Sequence, residues 1–228
     1  WGGVYIDGGT NISILDSGFE NITGNTSLQT TNDRDIITVR YGTNVTIENN
    51  NITVTPGSVD NGGAAAAGSG NNVSNMESTY KIGINLSADR VVLRDNVINI
   101  NSLTAAVRIN SSSNYVVNNT FGNATYQVYL SDSDNNTFRD NNFTDPTLVS
   151  GTTSALYMLS SDNNTFTNSR FDNVSNGWAV VVVNSSKNTF TILTFINVSG
   201  GLMLNGSSND NEFRNSSVIN VTGGFWGA

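Results

Sequence analysis

An apolar pair five residues apart recurs along the whole of this chain. With the first member as position i, the pairs are Ile14 and Phe19, Ile47 and Ile52, Leu93 and Ile98, Val116 and Phe121, Phe138 and Phe143, Phe166 and Phe171, Phe190 and Phe195, and Phe213 and Val218. Successive i positions lie 33, 46, 23, 22, 28, 24 and 23 residues apart, so the period is 22–24 residues with three copies lengthened by insertion. Self-similarity at that period means that each unit buries its apolar face against the next, and the chain folds as a solenoid or array.

The residues between the anchors say which kind. In the last five copies position i−2 is Asn (Asn114, Asn136, Asn164, Asn188 and Asn211), a residue of bends. Ahead of each bend stands a short apolar run, such as Val4-Tyr5-Ile6, Ala106 to Ile109, Val128-Tyr129-Leu130, Ala179 to Val183 and Leu202-Met203-Leu204. Short aliphatic and aromatic runs bounded by Gly, Ser and Asn read as strands. No segment holds a 3.6-residue period with caps, which disfavours helical repeats. A coil with one strand at i, one at i+5 and one in the following run is a coil of a parallel β-helix. Coils stacked at about 4.8 Å bring like residues onto like residues, giving an apolar core ladder through the sixteen pair members and an Asn ladder at the turn. Because i−2 is Ile12, Val45 and Val91 in the first three copies, the Asn ladder should stop partway along.

On these residues, most clearly Asn163 to Phe171 and Asn188 to Phe195, the chain resembles the right-handed parallel β-helix repeats of pectate-lyase-like proteins. It is most similar to the NosD-type proteins of archaeal cell surfaces. The resemblance spans essentially the whole chain and implies an all-β, single-domain solenoid over 1–228, right-handed and of about eight coils with three short strands each. It also implies a place outside the cell.

Composition removes several functions. The formal net charge is −8 and the sequence pI about 4.3, which speaks against nucleic acid or an anionic membrane as partner. Charged residues make up 12% of the chain, and neither Cys nor His occurs, so thiolate sites, disulfides and imidazole chemistry are excluded. No apolar run reaches the roughly 18 residues that cross a bilayer. The opening Trp1-Gly2-Gly3 suggests a processed protein or a segment of a longer one.

Three insertions, at 24–35, 56–81 and 145–154, all fall between an i+5 strand and the next apolar run. In a regular coil they leave one corner and form one lateral face.

Asn-x-Ser/Thr triplets are dense enough to ask whether the surface carries N-linked sugar. The candidates are Asn25 and Asn72 in the insertions, and Asn44, Asn85, Asn110, Asn135, Asn163, Asn184, Asn205 and Asn215 elsewhere. Chance in a chain rich in Asn, Ser and Thr explains any one of them equally well. The triplets at i+7 (Asn21, Asn123, Asn173, Asn197 and Asn220) share one angular position, and an internal ladder is the alternative there.

Both termini occupy the strand slot of a coil, Val4, Tyr5 and Ile6 at one end and Phe225 and Trp226 at the other. Open sheet edges invite head-to-tail stacking of copies, unless capping segments lie outside this sequence.

By the same family resemblance, lyases need clustered carboxylates for calcium with an Arg or Lys base, and hydrolases two or three Asp in a cleft. Asp134 and Asp162 share position i−4 on adjacent coils, but Asp132, Asp140 and Asp172 fall at other positions, and Arg139 and Arg214 are separated by Thr167 and Thr191. Arg170 stands alone. This pattern predicts no enzyme and no cofactor beyond glycans, with weak calcium binding around Ser131 to Asn136 and Asp162 as the alternative. The expected function is a building block of a surface layer, sheath or filament, partnered by copies of itself. The alternative is a β-helix that binds or cleaves acidic surface polysaccharide through the loop-bearing face.

Overall fold

The structure, a computed structural model, describes residues 4–20, 36–54, 82–146, 154–175 and 177–227. Among them every regular element is a strand, every pairing is parallel, and no helix is long and apolar enough to cross a membrane.

The strands form three walls. The first carries the i anchors in an eight-stranded sheet: Ser13–Leu15, Thr46–Glu48, Val92–Arg94, Tyr115–Val117, Thr137–Arg139, Thr165–Thr167, Thr189–Thr191 and Glu212–Arg214. The second carries the i+5 residues, in strands such as Gly18–Glu20, Asn51–Val54, Asn142–Thr144, Arg170–Asp172 and Ser217–Ile219. The third carries the apolar runs, from Val4–Ile6 through Ile82–Leu86, Ser154–Leu159, Trp178–Val183 and Gly200–Asn205 to Phe225–Gly227. Two long strands, Val97–Ile109 and Thr120–Ser131, run round the corner between the second and third walls and join them into one 15-stranded sheet.

Register holds from coil to coil. Phe138 pairs with Phe166, Phe166 with Phe190, and Phe190 with Phe213, while Phe143, Phe171 and Phe195 pair in the second wall. Rings on neighbouring rungs lie nearly parallel, with centroids 4.5 Å apart for Phe138 and Phe166 and 4.6 Å for Phe143 and Phe171. Stacking of one residue type on itself fills the interior without gaps, because identical shapes repeat at the rung spacing.

One expectation needs correction. The copies do not make eight uniform turns: about five are regular. Coils opening at Ile82, Ala105, Ser154, Trp178 and Gly200 close their circuit within the described residues, but for Asn176. The other three run into the insertions, which lie outside the described residues apart from Asp145, Pro146 and Ser154. The third-wall runs bury neighbouring residues in succession. Ala106 and Val107, Gln127 and Val128, Ala155 and Leu156, and Ala179 and Val180 are consecutive buried pairs. The first of each pair packs into the corner, where Gln127 Nε2 donates to the carbonyls of Phe121 and Thr144 and where a Cβ on Gly83 would meet Ile100.

Candidate functional site

Three buried polar columns line the turns. At i−2, each Asn receives the backbone N–H and the side-chain amide of the preceding coil's Asn on its Oδ1: Asn114 onto Asn136 (2.9 and 3.0 Å), Asn136 onto Asn164, Asn164 onto Asn188 and Asn188 onto Asn211. Val91 N–H donates to Asn114 Oδ1, and there the column ends. A second Asn column at i+3 has the same geometry, Asn50 onto Asn96, Asn96 onto Asn119 and Asn119 onto Asn141, flanked by Ser17 and Ser169. Sequence reasoning missed it, although the residues recur at one offset from the anchors. A third column at i−5 links Ser111, Ser133, Ser161, Ser185 and Ser208 through hydroxyls that accept the N–H of the coil before. Turns that would otherwise bury unpaired N–H groups are satisfied by these columns.

The chain bends through left-handed backbone at two fixed positions in every copy. At i−3 these are Asn11, Asn44, Arg90, Ser113, Asn135, Asn163, Lys187 and Asp210; at i+2 they are Asp16, Asn49, Asp95, Asn118, Asp140, Asn168, Ile192 and Asn215. Asn and Asp predominate because they tolerate positive φ better than other side chains with a Cβ. Of the glycosylation candidates, Asn44, Asn135 and Asn163 sit on the i−3 corner and Asn215 on the i+2 corner, all exposed; Asn110, Asn184 and Asn205 are exposed elsewhere, and Asn85 is half-buried in a third-wall strand. Asn25, Asn72 and Asn21 lie outside the described residues. At i+7 the ladder exists but outside the core. Exposed Asn220 donates to Asn197 Oδ1 at 3.1 Å, and Asn197 donates to Asn173 Oδ1 at 3.3 Å.

The carboxylates at i−4 face backbone, not a cleft. Asp134 Oδ1 accepts the N–H of Asp162 at 2.7 Å, Asp162 Oδ1 that of Ser186 at 2.6 Å, and Asp89 Oδ1 that of Ser112 at 2.7 Å. Asp132 takes the Ser131 hydroxyl, and Asp140 the Asn168 amide. Arg139, Arg170 and Arg214 pair on the surface with Asp140, Asp172 and Glu212. Among the described residues no three acidic side chains come together as a metal site would require.

Within the described residues, the first and last coils leave apolar interior partly uncovered. At the first coil Ile14 is buried but Val4, Ile12 and Phe19 only partly so. At the last, Phe213 is partly buried and Val218 is 45% exposed, unlike the ladder members of the inner coils, because no coil follows within the described residues. Phe225 turns in over the end, edge-on to Phe195 at 5.7 Å and against Phe213 at 5.1 Å, above Gly201. Trp226 pairs through its backbone with Met203.

The outer surface of the third wall was not legible as a site from sequence. Tyr126, Tyr129 and Tyr157 form one cluster with centroids 5.0–5.6 Å apart, and the Arg108 guanidinium lies over the Tyr129 ring at 5.9 Å. Burial first, then the neighbouring phenols, push the Tyr126 and Tyr157 hydroxyls above the ordinary tyrosine range. One coil on, the Trp178 indole covers Gly200, where a Cβ would stand 2.5 Å from the ring.

The profile of a family described as right-handed beta helix region matches residues 1–143 and, in a second match, 105–226. Among solved structures, HetL from the cyanobacterium Nostoc sp., a pentapeptide repeat protein involved in regulating heterocyst differentiation, is 11% identical, over 93% of this chain and 86% of its own, with a TM-score of 0.32. Curated protein sequences hold no match.

Proposed function

This chain belongs to the right-handed β-helix family, and from that premise we propose that it is a structural scaffold, a building block of an extracellular layer, sheath or filament that stacks head-to-tail. The observation that carries this reading is the match between its first and last described coils. Extending the register by one rung from the last coil would set Phe225 opposite Val4, Phe213 opposite Ile14 and Val218 opposite Phe19, apolar on apolar in all three walls. The Ser216 N–H would meet the Ser17 hydroxyl, as the Leu193 N–H meets Ser216 Oγ within the chain at 3.0 Å. Edge strands of this kind template pairing with another chain, and a heterologous contact that does not close propagates as a filament.

Exposed corner sequons favour a sugar-bearing surface outside the cell. A non-enzymatic role is supported by the carboxylates, whose oxygens bond to neighbouring backbone and not to an open cleft. Electron microscopy of the native protein tests the assembly. Continuous β-helical density from one subunit to the next, abolished by Phe225→Glu, is the expected result. Separate particles at high concentration, or further coils of the same polypeptide over either end, would overturn it.

A further inference from the structure

We propose that two copies of this chain pair side by side through the outer face of the third wall, their solenoid axes antiparallel and a two-fold axis at the rung of Tyr129. This contact is lateral, so it goes beyond the scaffold reading and stands whether or not the coils stack at their ends.

Along the third wall, residues that lie between two buried neighbours point outward: Tyr129 between Val128 and Leu130, Tyr157 between Leu156 and Met158, and Val181 between Val180 and Val182. Strand pairing sets these positions in one register column of nine rungs, from Tyr5 through Arg108, Tyr129, Tyr157, Val181 and Met203 to Trp226. No third-wall strand contains a carboxylate, and Arg108 is the one cation among them. The other two walls differ: Glu48 pairs with Arg94 and Glu212 with Arg214 on the first, and Asp172 pairs with Arg170 on the second. In a chain of net charge −8, the third wall is therefore the face on which a second copy meets least repulsion. Aromatic residues and Met with a single Arg, and without Lys, Asp or Glu, are the make-up of protein interfaces.

Size and periodicity fit a second copy. The column spans about 38 Å and its strands run about 10 to 20 Å across it, so two copies would bury on the order of 1,200 Å² together. That is the lower end of what stable complexes bury. A flat sheet face packs best on another sheet face of the same rung spacing, which this chain itself supplies.

The single charge sets the orientation. With the axes parallel, Arg108 of each copy would face Arg108 of the other. Tyr129 is the fifth of the nine rungs, so an antiparallel pair centred there overlaps along the whole column and brings Arg108 of each copy to Tyr157 of the other. Arg108 already rests on Tyr129 at 5.9 Å, and its Nε has no hydrogen-bond partner among the described residues. A second ring on its open side suits the guanidinium plane.

The test is sedimentation velocity of the full chain carrying Phe225→Glu, which removes end-to-end contact from the measurement. A concentration-dependent dimer is expected. Tyr129→Glu and Tyr129→Lys, each added to that background, should weaken it about tenfold or more, because each sets like charges across the axis. Mixing the two variants should restore the dimer, since opposite charges then face each other. If either variant does not fold, Tyr129→Cys gives a second measurement, because the chain has no cysteine of its own. Facing sheets lie about 10 Å apart, so a short bismaleimide should join two Tyr129→Cys chains and leave Tyr5→Cys chains, whose thiols would be about 38 Å apart, unlinked. Four results would overturn the proposal: monomers at every concentration, a dimer indifferent to either charge at Tyr129, no recovery on mixing, or equal cross-linking at both cysteine positions.

Discussion

Asn164 donates its backbone N–H to Asn188 Oδ1 at 2.8 Å and its side-chain amide to the same oxygen at 3.2 Å. Its own Oδ1 takes both equivalent donors of Asn136, and its amide also reaches the carbonyls of Ser133 and Asp162. Removing this side chain strands a buried N–H and a buried carbonyl at once. Asn164→Ala should therefore lower stability by about 3 to 5 kcal/mol, at the usual cost of unsatisfied buried groups. Urea denaturation measures it, and a loss under about 1 kcal/mol would mean the column is dispensable.

Ile192 holds the i+2 corner at φ 57, where the other seven copies place Asn or Asp. A β-branched residue is strained in left-handed backbone, and this one is also 48% exposed, so it gains little from burial. Ile192→Asn should raise stability by about 1 kcal/mol. A lower urea midpoint for the variant would refute the strain.

Phe166 lies between Phe138 at 4.5 Å and Phe190 at 5.1 Å. Phe166→Ala should cost about 3 to 5 kcal/mol, whereas Val218→Ala in dilute solution should cost less than about 1 kcal/mol. Amide exchange should follow the same gradient, slow in Thr165–Thr167 and fast in Glu212–Arg214. Uniform protection across all rungs would contradict it.

Tyr126 and Tyr157 have raised pKa values, with burial the first cause. Folding therefore favours their protonated form. The stabilisation is complete below the tyrosine value of the unfolded chain, about 10, and is lost as pH rises through the higher folded values. Urea midpoints should fall between pH 9 and 12, and Tyr157→Phe should flatten the decline. An identical decline in the variant would place the alkaline sensitivity elsewhere.

The wall anchors, the strand slots and the i−2 Asn column were legible because each repeats at a fixed offset, and stacking requires like residues to recur at one offset. The i+3 column of Asn50, Asn96, Asn119 and Asn141 met the same condition and was overlooked, since it fades just where the i−2 column becomes regular. The roles of Asp134 and Asp162 were not readable. Sharing an offset does not say whether a carboxylate faces open space or the N–H of the next coil.

By itself the sequence determined that this chain coils into a parallel β-helix with aromatic and Asn columns, because period and offset are local properties of the string. Only the tertiary structure decided which side of each run is buried. The doubled inward residues at the third-wall corner break simple alternation, and that break carries Tyr126 and Trp178 outward. It decided too which core positions stay covered, since burial depends on the rung above and the rung below: among the described residues Phe166 has both, and Val218 has one.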